Sequence, residues 1–178
     1  MVYDGMIKGK YVYLKSAVFD DAEFTLSIRN DPEITRYLPK IDITIDQQRK
    51  WILTQNQLKG DYFFVVRNYK DECLGTIGVY DIKDEQGEGG RLALYGDPYE
   101  KIEAGILMGD FEFDILNLKK TVGWVYEKNK HAMRWNRNFG ATFSDVRKLE
   151  NGDEIRDLVI TRDNFRVARE KLCNLIYR

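Results

Sequence analysis

The chain has 178 residues, a formal net charge of −1, 43% apolar residues and 13% aromatic ones, with two cysteines and one histidine. This length predicts one domain, 1–178, around one core. Interspersed charges exclude a basic nucleic-acid face, no apolar run reaches the roughly 18 residues that span a bilayer, and the cysteine and histidine content excludes a disulfide framework or multi-histidine metal site.

Residues 10–15 alternate polar and apolar as a half-buried strand does. Asp20 or Asp21 can cap a helix running to about Asn30. Pro32 then starts a short helix at its first turn, which Pro39 ends. Thr44 to Asp46 cap a further helix over 47–57. Residues 61–67 and 72–82 read as two strands joined by the turn 68–71. Residues 83–88 read as a polar loop and 90–95 as a strand. Gly96-Asp97-Pro98-Tyr99 breaks that strand, and 100–116 is apolar at helical spacing through Ile102, Ile106, Met108 and Phe113.

A strand returns over 119–126. Asn129 then opens a short amphipathic helix, because its side chain can accept from the amides that follow. Gly140 supplies a left-handed stop. Residues 141–149 and 153–161 flank Asn151-Gly152, a strong hairpin signal, and 163–177 forms a last helix. The order gives an α+β (mixed α/β) chain, with helices on both faces of a mixed sheet. The crossover from Arg91 to Tyr126 should pair its strands in parallel and turn right-handed. Residues 1–10 lack an apolar signal segment, so a soluble, cytoplasmic protein is expected.

Val125, Asn129, Ala132 and Gly140 are spaced as V-x-x-x-N-x-x-A-x-x-x-x-x-x-x-G. This is similar to the segment near the C-terminus of the GNAT superfamily of N-acetyltransferases, which move acetyl from acetyl-CoA to an amine. Arg29-Asn30-Asp31-Pro32-Glu33-Ile34 and Leu118-Lys119-Lys120 also resemble family segments. The first is common in branches that acetylate protein N-termini or nucleotide-linked amino sugars. The resemblance covers about residues 10–161. It implies the GNAT fold, a mostly antiparallel sheet of about seven strands, with acetyl-CoA as cosubstrate. A small-molecule amine acceptor is implied too, a nucleotide-linked amino sugar first and a protein N-terminus second. No membrane or nucleic-acid partner is expected, and the chain is expected to be a monomer or homodimer.

The family binds the CoA diphosphate with a Q/R-x-x-G-x-G/A loop, whose close backbone amides and helix dipole hold the anion. Here residues 96–104 lack the glycine pair and carry Asp97, Glu100 and Glu103, acids where the diphosphate should lie. One reading is a degenerate site, with a non-catalytic binding protein as the rival from another class. The other is a divergent branch: Glu88-Gly89-Gly90-Arg91 and Ile102-Glu103 resemble E-W-G-R and V-E-S-A segments of some glycan-cluster acetyltransferases. In that branch the free amides of the helix start at Ile102 and its neighbours serve instead, and Lys101 is the nearest positive charge.

The resemblance also implies site residues. The backbone of Leu92, Ala93 and Leu94 would hold the pantetheine arm and the thioester, with Asn129 near the arm. Glu88 would be the general base, ahead of Asp81. Asn136 occupies the position where many relatives carry a tyrosine acid. An amide can orient a thiolate but not protonate it, so Tyr126 or water is the alternative donor. His131 reads as a solvated or capping residue and Trp135 as core. Arg29, Asn30 and Tyr37 are candidates for the acceptor pocket, since arginine suits a sugar-linked phosphate.

Overall fold

The structure is a computed structural model and describes residues 1–38 and 40–177. Its elements in chain order are β1 (Met6–Lys8), β2 (Val12–Ser16), α1 (Ala22–Asn30), α2 (Ile45–Gln55), β3 (Tyr62–Asn68), β4 (Cys73–Lys83), β5 (Gln86–Leu94), α3 (Pro98–Asp110), β6 (Lys120–Tyr126), α4 (Lys130–Asn138), β7 (Thr142–Phe143), β8 (Arg147–Lys148), β9 (Glu154–Thr161) and α5 (Arg162–Ile176). One sheet runs β1-β2-β3-β4-β5-β6-β9-β7, and β8 pairs with β9 off that path. β5 and β6, joined across α3, pair in parallel. The other pairs are antiparallel. The mixed, mostly antiparallel sheet is therefore as expected.

β3 shows why the expected strand over 61–67 is apolar without a break from Tyr62 to Val66. Successive side chains leave opposite faces of a strand, and both faces here are covered. Phe64 and Val66 join Val12, Leu14, Ile77 and Val79 against α3, the turn after it and α5, through Ile106, Phe111, Phe165 and Leu172. Phe63 and Val65 pack on the other face with Ala22 and Ile52 of α1 and α2. α2 starts at a reciprocal cap, with Thr44 Oγ1 accepting from Gln47 N–H and the Gln47 side chain accepting from Thr44 N–H.

Four expectations change. Among the described residues there are nine strands rather than about seven, and they include β1, whose three residues are too short to show a period. The terminal hairpin divides its first arm into β7 and β8, and its connection spans Leu149 to Asp153, with Leu149 N–H bonded to Asp153 O at 2.8 Å. No helix follows Pro32. Isolated turns bond Thr35 N–H to Asp31 O and Leu38 N–H to Thr35 O, both at 2.8 Å, because so short a segment does not offset the cost of helix nucleation. Pro39, expected to end that helix, lies outside the described residues. The fourth change is at 83–88. Asp84 and Glu85 form a tight turn with φ of 50° and 61°, so β5 begins at Gln86 and Glu88 is a strand residue.

α4 starts as its sequence predicts. Asn129 Oδ1 accepts from Ala132 N–H at 3.0 Å, and Gly140, with φ 91°, ends the helix. Asn129→Ala is expected to lower stability by about 1 kcal/mol. A denaturant midpoint unchanged from wild type would remove the cap from this account.

Candidate active site

β5 and β6 pair over only three residues, Gln86↔Lys120, Gly87↔Thr121 and Glu88↔Val122. Beyond Glu88 they part. Residues 89–94 stay paired to β4 and 123–126 to β9, so the edges that face each other across the fork are unpaired. The cause lies in β5. Between the pairs Thr76↔Ala93 and Gly78↔Gly90, Ile77 of β4 faces two residues, Arg91 and Leu92. Arg91 takes φ 55°. Such a bulge bends and twists its strand, here next to the divergence. Leu92, Ala93 and Leu94 lie on this arm of the fork.

Glu88 stands at the vertex. Its carboxylate accepts from Tyr80 Oη–H at 2.9 Å. The Tyr80 ring lies under the Arg91 guanidinium at 4.5 Å, and Arg91 also lies over Trp51 of α2 at 5.2 Å. Arg91 makes a two-point ion pair with Asp61, one arm of which is Nη2 to Oδ2 at 2.9 Å. Glu88 is thus fixed on the face covered by α1 and α2. Burial and the bond to Glu88 raise the Tyr80 hydroxyl far above the ordinary tyrosine range, so Tyr80 stays a donor to this carboxylate. The alternative base, Asp81, takes φ 50° where the β4–β5 register shifts.

Sequence reasoning missed a second carboxyl at the vertex. The helix expected over 100–116 is α3 followed by a π-helical turn, Phe111–Ile115. Glu112 in that turn is 7% exposed, and its carboxyl has no hydrogen bond or ion pair among the described residues. A Cβ placed on Gly89, the first residue past the last β5–β6 pair, would stand 3.7 Å from Glu112 Oε1 and meet nothing else within 4 Å. Burial alone pushes this carboxyl up to about 8. The signal was present in the sequence: an acid between Phe111 and Phe113 on an apolar run.

The shift has a consequence with a definite sign. The folded chain holds this proton up to about pH 8, whereas an unfolded glutamate releases it near 4.5. Stability is therefore highest below about pH 4.5 for this group and falls as pH rises to about 8, by roughly 3 to 5 kcal/mol. Urea midpoints across that range should fall more steeply for wild type than for Glu112→Gln. Parallel profiles would show that Glu112 is not held neutral.

At the start of α3 three acids were expected to crowd one place, and the structure separates them. Glu103 is fully buried and faces away from the helix start. Its carboxylate accepts from the N–H groups of Lys10, Tyr11 and Val12, each at 2.7 Å, and from Tyr177 Oη–H at 2.6 Å. Asp97 and Glu100 do stand at the helix start. Asp97 Oδ1 accepts from Tyr99 and Glu100 N–H at 2.7 and 3.0 Å, and Glu100 Oε2 accepts from Asp97 N–H at 2.9 Å. Lys101 N–H bonds to Asp97 O at 3.1 Å. The Lys101 side chain makes no ion pair among the described residues, and Ile102 packs on the main core. The fork suits the extended arm of a CoA thioester, and the capped helix start does not suit its diphosphate.

The remaining candidates divide. Asn136 Nδ2 donates one of its two N–H groups to Ala132 O at 2.9 Å within α4. Tyr126, by contrast, ends β6 on the second arm of the fork, its ring edge-on to Trp124. His131 is exposed, and Trp135 packs against the main core. Asn30 clamps the chain before α2 with two 2.9 Å bonds to Ile41, so its amide holds a loop. Tyr37 is half-buried beside Arg36.

Arg29 is different. Its Nη1 is buried and has no hydrogen-bond partner among the described residues, and burial lowers its pKa. Among the described residues Arg29 makes no ion pair with its neighbours Asp31 and Glu33. Asp31 instead accepts from Tyr95 Oη–H, which ties the segment after α1 to the end of β5.

A family model, Acetyltransferase (GNAT) domain, matches residues 12–142. The chain belongs to this family, whose members are N-acetyltransferases. No curated protein matches it by sequence. Among solved structures it is similar to apo FdhC, a nucleotide-linked sugar GNAT, at 20% identity and TM-score 0.77, covering 95% of this chain and 97% of that one. It is similar to a GCN5-related N-acetyltransferase from Brucella melitensis at 15% identity and TM-score 0.77, covering 98% and 86%. It also resembles a spermidine N-acetyltransferase from Vibrio cholerae, in complex with CoA and spermine, at 17% identity and TM-score 0.74, covering 86% and 97%. Among the described residues no helix is long and apolar enough to cross a membrane.

Proposed function

We propose that the protein transfers acetyl from acetyl-CoA to the primary amine of a small acceptor, a nucleotide-linked amino sugar. The observation that carries this reading is the strand fork with Glu88 at its vertex. Acetyl-CoA supplies an activated acyl thioester. The open edge of the arm from Leu92 to Leu94, on the side turned away from β4, orients the donor, and its free donors stabilise the charge that develops on the carbonyl oxygen. Glu88 takes the amine proton as the nitrogen–carbon bond forms and the carbon–sulfur bond breaks. The proton for the departing sulfur is assigned to Tyr126, because the Asn136 amide can orient a thiolate but does not give up a proton.

The unpartnered Arg29 supports an anionic acceptor. A buried guanidinium atom without a partner is costly, and a phosphate restores its hydrogen bonds in a two-point geometry. A polyamine, being cationic, does not suit it. The likeness to a nucleotide-linked sugar GNAT agrees with this choice. Thiol release measured against nucleotide-linked amino sugars, spermidine and N-terminal peptides tests it. The sugars should react at least tenfold faster, and Arg29→Ala should raise their KM by about tenfold, near 1.4 kcal/mol, with kcat little changed. Preference for peptides or spermidine would contradict the acceptor, and no release with any acceptor would contradict the activity.

A further inference from the structure

The backbone N–H groups at the start of α3 are already bonded within the chain. An α-helix leaves its first four N–H groups free, and in this one all four are accounted for. Pro98, the first helical residue, has no N–H. Tyr99 and Glu100 donate to the Asp97 carboxylate, at 2.7 and 3.0 Å. Lys101 donates to Asp97 O at 3.1 Å. The preceding N–H, that of Asp97, goes to Glu100 Oε2 at 2.9 Å. Glu100 is folded over Gly96, where a Cβ would meet Glu100 Oε2 at 2.6 Å.

Two carboxylates therefore fill the place where the family holds a diphosphate. They satisfy the amides that a diphosphate would need and repel its charge. The fork, a few residues away, keeps its unpaired backbone for an arm of amide and methylene groups. We propose that this protein recognises its acyl donor by the pantetheine arm alone, so that a thioester of bare pantetheine serves about as well as the CoA thioester. The donor class is then any acyl-pantetheine thioester, whatever the far end of the arm carries. This rests on the transferase reading. The chemistry is unchanged: the carbon–sulfur bond breaks, the nitrogen–carbon bond forms, Glu88 takes the amine proton, and the arm leaves as a free thiol.

Calorimetry with CoA, pantetheine and inorganic pyrophosphate tests the proposal without turnover. CoA and pantetheine should bind within about tenfold of each other, and millimolar pyrophosphate should give no heat and no competition. CoA binding a hundredfold or more tighter than pantetheine, or competition by pyrophosphate, would overturn it. So would failure of both to bind. In the assay of the full chain, kcat/KM for acetyl-pantetheine should lie within about tenfold of that for acetyl-CoA.

The double variant Asp97→Asn with Glu100→Gln removes both charges and keeps an N-cap. It should tighten CoA by tenfold or more and leave pantetheine unchanged. An equal effect on both ligands would overturn the proposal. The outcomes separate cleanly from failure of the transferase reading. Acetyl-CoA turned over far faster than acetyl-pantetheine sinks this inference alone. Equal binding of the two ligands with no acyl transfer sinks the transferase reading and leaves arm recognition standing.

Discussion

Replacing Glu103 with alanine is expected to destabilise the protein by about 3 to 5 kcal/mol, enough to leave many domains of this size largely unfolded. The side chain is fully buried. It accepts from three consecutive backbone N–H groups and from the Tyr177 hydroxyl. Alanine leaves those donors without partners, and each buried unsatisfied donor costs about 1 to 3 kcal/mol. It also frees the β1–β2 turn from α3. The turn is built around this carboxylate, since a Cβ on Gly9 would stand 2.3 Å from the Glu103 carboxyl carbon. Glu103→Gln keeps one acceptor oxygen and should fall between alanine and wild type. Urea unfolding of the three proteins measures the order. A Glu103→Ala midpoint within error of wild type would show that the network carries no net stability.

Glu88→Gln should reduce turnover by about two to four orders of magnitude, the usual worth of a positioned base. It should leave the fold and donor affinity unchanged. Gln is isosteric and can still accept from Tyr80, so the bond at 2.9 Å has a replacement. What it loses is the capacity to take the amine proton. The deficit should therefore shrink at high pH for acceptors whose amine is already neutral. A thiol-release profile from about pH 6 to 9 distinguishes the roles. Rates near wild type would remove Glu88 as the base. A large deficit that ignores pH would make it a positioning residue for the acceptor.

The parts of the fold legible in the sequence are those set by local chemistry. Asn129 and Gly140 mark both ends of α4 because a cap and a left-handed stop need only neighbouring amides. The crossover from β5 to β6 follows from the order of apolar runs. Glu88 was harder to place. Asp84 and Glu85 turn the chain in two residues with positive φ, a conformation usually announced by Asn-Gly, so 83–88 reads as loop. Glu103 could not be told from a solvated helix acid, because its partners lie about 90 residues away in sequence. The bulge at Arg91 and the fork beside it are properties of pairing, and no residue type announces them. Glu112 was the missed opportunity, an acid inside an apolar helical stripe. Arg29 was legible as a type suited to phosphate, but its lack of a partner is visible only in three dimensions.

The proposed activity requires the gap between β5 and β6 to receive the donor's arm. Backbone amide resonances followed while CoA is titrated into the protein test this most directly. The amides of Leu92, Ala93 and Leu94, and those of residues 123–126 across the fork, should shift together and saturate, while those of Tyr99 and Glu100, held by Asp97, should stay in place. Saturable binding that moves other amides and leaves both arms of the fork untouched would contradict it.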